Sequence, residues 1–270
     1  MDLKTIANNV RVGIITEVAA AQSGHPGGSL SSADIVTYLY FEAMNIDKDN
    51  LDDPNRDKFI LSKGHASPVL YAALAEKGII EREELKTFRK INTRLQGHPA
   101  INKCPGVDMT AGSLGLGFPV AAGLALGNKL DGKDSTVYTL VGDGEIQEGT
   151  IWEAAMAASH YKLDNLIVYV DNNNLQIDGP ITDVMSPYPI DEKFAAFGFN
   201  VINVDDGHDF DKLRKANEEA KACKGKPSVI ICKTVKGKGV SFMENQVGWH
   251  GKAPSEEQAK EAIEELGGWK

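Results

Sequence analysis

The chain has 270 residues, of which 42% are hydrophobic, 25% charged and 7% aromatic, with 27 Gly and 11 Pro. That length and mixture suffice for a large core and exclude a disordered or fibrous chain. Against 29 Lys+Arg stand 38 Asp+Glu, a net charge of -9, so neither nucleic acid nor an anionic membrane is expected as the main partner, because neutralising phosphates needs a basic surface.

The first 90 residues read as helical. Leu3, Ile6, Ala7, Val10, Ile14 and Val18 recur at helical spacing, further helices are expected over 32–43 and 68–77, and the apolar run 59–61 predicts a short strand. From residue 118 the pattern alternates: helix 118–130, strand 136–141, helix 149–163, strand 166–171, strand 201–204, helix 210–223 and strand 228–234. Strands rich in Val and Ile, separated by long helices, predict right-handed βαβ units. The expected class is α/β: a doubly wound, mostly parallel sheet with helices on both faces and a helical N-terminal segment. No repeat or linker interrupts the pattern, so residues 1–270 are expected to form one domain. A last helix over 255–266 opens on Ser255 with Gln258 three residues on, a capping box, and stops at Gly267 and Gly268.

The N-terminus lacks the apolar stretch of a signal peptide, and no run approaches the roughly 18 apolar residues of a membrane span. Three cysteines, Cys104, Cys223 and Cys232, form no C-x-x-C pair, which signals neither a disulfide framework nor a zinc knuckle. A soluble, cytoplasmic protein is expected.

Three stretches, 92–111, 172–190 and 235–254, refuse regular structure. Irregular segments longer than about 12 to 15 residues are uncommon in compact domains unless they serve a function or are disordered. All three combine Gly with His or Asn, and the last two leave from the carboxyl ends of predicted strands, where parallel sheets bind ligands.

The strongest local signal is TVYTLVGDGEIQEGT, followed by a helix and LIVYVDNNNLQIDG. Asp143 lies just past one strand end and Asn172 to Asn174 past the next, so the helical crossover brings both polar groups to one edge. A carboxylate, an amide oxygen and a main-chain carbonyl make a hard oxygen set suited to Mg²⁺ or Ca²⁺. Mg²⁺ held by so few protein oxygens completes its shell with phosphate and water, which implies a diphosphate ligand. Gly142 and Gly144 let the backbone approach such a ligand; the bland alternative is a simple turn at a strand end. AGSLGLGFPVAAGLALG, residues 111–127, is a glycine-rich turn entering a helix, which suits either phosphate binding or tight helix packing.

Five of the six histidines adjoin a glycine: His25, His65, His98, His208 and His250. Loop histidines of this kind suit proton transfer and hydrogen bonding to hydroxyls. His160, on a helix, and His208, in an acidic turn at a helix start, are expected to have no such task.

Together SGHPGGSLS, LSKGHASPVLYA, GHP, GSLGLG, GDGEIQEGTIWEA, DNNNLQIDG and GWHG resemble, in order, the transketolase family of thiamine diphosphate enzymes, specifically its N-terminal, diphosphate-binding domain. The resemblance implies that Asp143, Asn173 and the Leu175 carbonyl bind a divalent metal, Mg²⁺ with Ca²⁺ or Mn²⁺ as alternatives. It implies that His65, Gly112, Ser113, Leu114, Gly144, Asn173 and His250 contact thiamine diphosphate. It further implies that His25, His98 and His250 line the substrate channel and assist proton transfers, and that Glu148 is a subunit-interface glutamate linking sites. One departure is Gly-Ser-Leu-Gly where Gly-Pro-Leu-Gly is usual. The other is that the family's coenzyme-activating glutamate and sugar phosphate-gripping groups belong to a second domain that this sequence does not contain.

The expectation is therefore the N-terminal subunit of a split transketolase of the pentose phosphate pathway. It would pair with a separate C-terminal, pyrimidine-binding subunit in a 2+2 assembly and act on sugar phosphates. Rival readings are a non-catalytic thiamine diphosphate-binding regulatory protein, a nucleotide-binding module of Rossmann type, and a subunit of the deoxyxylulose-phosphate synthase type.

Overall fold

A computed structural model describes residues 1–270. Helix α1 (Leu3–Ala21) starts at Asp2, whose side chain accepts the Thr5 N–H, and ends on Gln22 in the left-handed region at φ 48°. Helix α2 (Pro26–Ser31) begins with proline, whose fixed φ suits a first turn, and α3 (Ala33–Tyr38) runs on into a wider turn at Leu39–Ala43. Strand β1 (Lys58–Leu61) and α4 (Ser67–Glu76) follow. After a long irregular stretch come α5 (Gly117–Leu130), β2 (Val137–Gly142), α6 (Gly149–His160) and β3 (Leu166–Asn172). The chain then makes a small antiparallel pair, β4 (Leu175–Gln176) and β5 (Gly179–Pro180), with α7 (Ile181–Met185) and α8 (Ile190–Ala196) behind it. It finishes with β6 (Asn200–Val204), α9 (Phe210–Ala222), β7 (Ser228–Lys233) and α10 (Glu256–Glu265).

Five strands form one parallel sheet in the order β1-β2-β3-β7-β6. Along β3, Ile167 and Tyr169 enter the core on one face while Leu166, Val168 and Val170 enter the core on the other. Every residue of β2 and β3 is buried, which explains why these strands are mostly apolar on both faces rather than alternating. The first core holds α1, α3, α4, α9 and α10 against the sheet, and the second holds α5, α6 and α8.

The α/β class, the parallel sheet covered on both faces and the helical N-terminal segment are as expected, and Ser255 and Gln258 form the capping box. Two details differ. Helix α6 ends at His160 rather than 163, because Lys162 turns into the left-handed region at φ 51°. The stretch 172–190 is not irregular throughout: it contains the β4–β5 hairpin and α7, elements too short to produce a readable period. The sheet register sets Gly142 beside Asp171 and Asn172 beside Lys233, so the carboxyl ends of β2, β3 and β7 share one rim.

Candidate functional site

Asp143 follows β2 directly and is buried. Its carboxylate accepts the Asn174 N–H at 2.6 Å, the Asn172 amide at 3.1 Å and the Gly144 N–H at 2.8 Å. Burial, with the negative Asp171 close by, pushes this carboxyl up to about 6. Asp171, at the end of β3, is fully buried but neutralised: Lys63 Nζ lies 2.6 Å from its Oδ2. The same oxygen accepts from Ser31 Oγ at 2.6 Å and from Asn173 Nδ2 at 3.1 Å, and Thr234 donates to its Oδ1.

That arrangement orients Asn173. Its amide nitrogen is spent on Asp171, leaving Oδ1, which accepts only the Leu175 N–H at 3.1 Å. The Leu175 carbonyl in turn accepts from Lys236 Nζ at 3.0 Å. Of the three consecutive asparagines, Asn173 alone lines the central cavity. Asn172 holds Asp143 and the Tyr188 hydroxyl, and exposed Asn174 holds the same hydroxyl.

The central cavity has a volume of about 480 Å³. Asp143, Gly144, Asn173 and Leu175 line it with Gly112, Leu114, Glu148 and the histidines His25, His65, His98 and His250. Of the residues that the resemblance assigns to the site, Ser113 alone is not among its lining; it stands exposed on the turn beside it. A cleft of about 590 Å³ at the opposite, amino ends of β1 to β3 is lined largely by Lys, Asp and Asn side chains and contains none of those residues.

Three imidazoles pack mutually, with ring centroids 5.1 Å apart for His25 and His65, 5.6 Å for His25 and His250, and 5.4 Å for His65 and His250. Burial first, and nearby cations second, lower His25 to about 4 and His250 to about 3, and hold His65 well below its ordinary value. His98 is lowered by burial and by Arg89. All four are neutral at pH 7 and keep one donor and one acceptor nitrogen. Lys236 Nζ lies 2.9 Å from His250 Nδ1, so that nitrogen accepts and the proton sits on Nε2. His25 Nδ1 is buried without a partner.

Lys63, Lys236 and Asp171 also line the cavity; none of them is assigned a role from the sequence, although Lys63 and Asp171 fall within the motifs LSKGHASPVLYA and DNNNLQIDG. Both lysines stand beside glycines just past strand ends, and that placement is a signal the sequence offers for them. Their roles diverge through geometry. Lys63 spends its three donors on Gly28 O, Ser32 Oγ and Asp171. Lys236 spends two, on Leu175 O and His250, and keeps a third; burial lowers it to about 8, opposed by the charge of Asp143.

The site fits a divalent cation with an anionic ligand. Three hard oxygen acceptors, the Asp143 carboxylate, Asn173 Oδ1 and the Leu175 carbonyl, line one cavity, and the Leu175 carbonyl already accepts from a cationic group, Lys236 Nζ. A Cβ on Gly112 would meet nothing within 4 Å, so that turn is open to a ligand.

The chain matches the model of the transketolase thiamine diphosphate-binding domain over residues 3–270. It is 44% identical over 266 residues to the 6-deoxy-6-sulfo-D-fructose transketolase subunit SqwG of Clostridium sp., covering 98% of this chain and 96% of that one. It is 42% identical to an apulose-4-phosphate transketolase subunit of Actinobacillus succinogenes, covering 94% and 91%. The human transketolase is also 42% identical, but this chain spans only 42% of its length. Among solved structures, the transketolase from Leishmania mexicana superposes with a TM-score of 0.93 at 34% identity, over 99% of this chain and 42% of that one. A sheet of matching topology, a near end-to-end family match and relatives well above 30% identity lead to one conclusion: the chain belongs to the transketolase family and carries its thiamine diphosphate-binding domain.

Proposed function

We propose that this chain is the N-terminal subunit of a two-chain transketolase that moves a two-carbon ketol group from a ketose phosphate to an aldose phosphate. In this reading residues 1–270 act as one diphosphate-binding domain in the cytoplasm, and a separate C-terminal subunit completes the active site in a 2+2 assembly. One observation carries it: Asp143, Asn173 and Leu175 meet four neutral histidines in a single cavity at the carboxyl ends of neighbouring strands. The relatives named as subunits, whose length this chain matches, support the two-chain arrangement. So do the exposed apolar side chains of Leu116 and Val120 at the start of α5 and of Met156 and Tyr161 near the end of α6, on which a partner chain would dock.

Asp143, Asn173 Oδ1 and the Leu175 carbonyl would hold the metal, Mg²⁺ in this reading, because all are hard oxygen donors. His65, the Gly112-Ser113-Leu114 turn, Gly144, Asn173 and His250 would contact thiamine diphosphate, and the spare donor of Lys236 is free for its diphosphate. When bound, thiamine diphosphate supplies the nucleophilic carbon and the electron sink that ketol transfer requires. The protein's share is orientation, water exclusion and proton movement. His250 offers an Nε2–H to a substrate oxygen, and His25, a neutral imidazole lining the cavity, can take or give a proton at a substrate hydroxyl. Glu148, exposed at the cavity rim where α6 begins, is placed to reach a neighbouring subunit.

The test mixes this chain with a candidate C-terminal partner and measures ketol transfer, with each chain assayed alone. Transfer is expected only from the mixture, and lost in His25→Ala while calorimetry still shows thiamine diphosphate binding with Mg²⁺. Robust turnover by this chain alone refutes the two-chain reading. Binding of NAD or ATP in place of thiamine diphosphate refutes the coenzyme assignment, and a mixture that binds coenzyme but transfers nothing favours a non-catalytic binder.

A further inference from the structure

His208, which the sequence places in a turn with no evident task, is the centre of a half-hidden network. Its side chain is only 12% exposed, and its Nδ1 lies 2.7 Å from Asp34 Oδ2 on α3. Its other nitrogen, Nε2, accepts the Val235 N–H at 2.9 Å, so the ring proton is on Nδ1 and is donated to Asp34. Asp34 Oδ2 also pairs with the Arg11 guanidinium from α1, and Arg11 Nε donates to the Lys238 carbonyl at 3.1 Å. One buried carboxylate thus braces the chain at residues 235 and 238, and Lys236 lies between the two points.

The bracing matters because this stretch has little structure of its own. It lies beyond the end of β7, outside any helix or strand, and Gly237 and Gly239 adopt positive φ of 79° and 94°. A lysine on such a backbone, with a flexible four-carbon stem, loses entropy when its ammonium is fixed. Side chains that hold a site in place are commonly set by an outer layer of hydrogen bonds.

We propose that His208, with Asp34 and Arg11, is a positioning residue: it holds the 235–238 backbone so that the Lys236 ammonium points into the cavity, between Leu175 O and His250, to meet an anionic ligand. This rests on the proposed thiamine diphosphate site. His208 touches no ligand in this scheme and acts through Lys236.

Two substitutions separate the clamp from the fold. In His208→Asn the amide can still donate to Asp34, which keeps that buried carboxylate satisfied, but nothing reaches Val235. In His208→Gln the amide nitrogen and oxygen, spaced much like the two ring nitrogens, can serve both partners. Thiamine diphosphate is titrated calorimetrically into the full-length chain with saturating Mg²⁺, in the wild-type and Lys236→Met backgrounds. His208→Asn is expected to weaken binding about tenfold, as outer-layer changes do, while His208→Gln retains most of it. In the Lys236→Met background, itself weaker than wild type, His208→Asn is expected to cost nothing further. An equal loss in both backgrounds, or no loss in either, overturns the proposal. Unchanged affinity in Lys236→Met alone overturns it too, since nothing useful is then positioned. Absence of binding by the wild-type chain instead refutes the coenzyme site itself, a separate failure.

Discussion

Replacing Asp171 by Asn tests the charge balance beneath the site. The Asp171 carboxylate is fully buried and accepts from Lys63, Ser31, Asn173 and Thr234. In Asp171→Asn, Lys63 is left 2% exposed without a counter-charge, and the new amide presents two N–H groups to a ring of donors. Breaking one partner of a buried pair costs about 3–5 kcal/mol, and in a domain of this size roughly 2–4 °C of midpoint accompanies each kcal/mol, so a fall of about 6–20 °C is expected. The double variant Asp171→Asn/Lys63→Met removes both charges and should recover at least half of that loss, because the penalty comes from the lone charge and not from the missing pair. Urea and thermal unfolding of the wild type, both single variants and the double variant measure this. A single variant within about 1 kcal/mol of wild type, or a double variant no better than the worse single one, refutes the reasoning.

Three further outcomes are expected. Thiamine diphosphate with Mg²⁺ should raise the thermal midpoint by the equivalent of about 2.7 kcal/mol at a hundred times Kd, and Asp143→Ala should abolish that rise in scanning fluorimetry. Glu17 is fully buried with both oxygens unpartnered, and burial holds its carboxyl well above the ordinary value. The folded chain keeps that proton while the unfolded chain releases it above about pH 4.5, so stability falls as pH rises; Glu17→Gln should be stabilising at pH 8, nearly neutral at pH 4, and should flatten the profile. His25 and His250 behave in the opposite sense. Their folded values of about 4 and about 3 lie below the ordinary 6.5, so the stability they contribute is full above pH 6.5 and is lost on acidification toward pH 4 and 3; His25→Asn should reduce the slope of denaturation midpoint against pH in that window.

Much of the site was legible in the sequence because its parts sit where local pattern changes abruptly. Asp143 and Asn173 follow two strands rich in Val, Leu and Ile, and His65 and His250 sit in glycine-flanked turns. The resemblance picks Asn173 from the three adjacent asparagines, and the fold adds that the three face different neighbours, with Asn173 alone lining the cavity.

Periodicity and turn chemistry, which act over a few residues, determined by themselves the longer helices, the buried parallel strands and the rim on which the polar residues gather. Only the tertiary structure decided which charges meet. Lys63 finds Asp171 across 108 positions, and Asp34 finds His208 across 174. No spacing rule reaches that far, because such pairs are set by how the helices and strand ends pack around one sheet, where a buried charge is tolerated only beside its opposite.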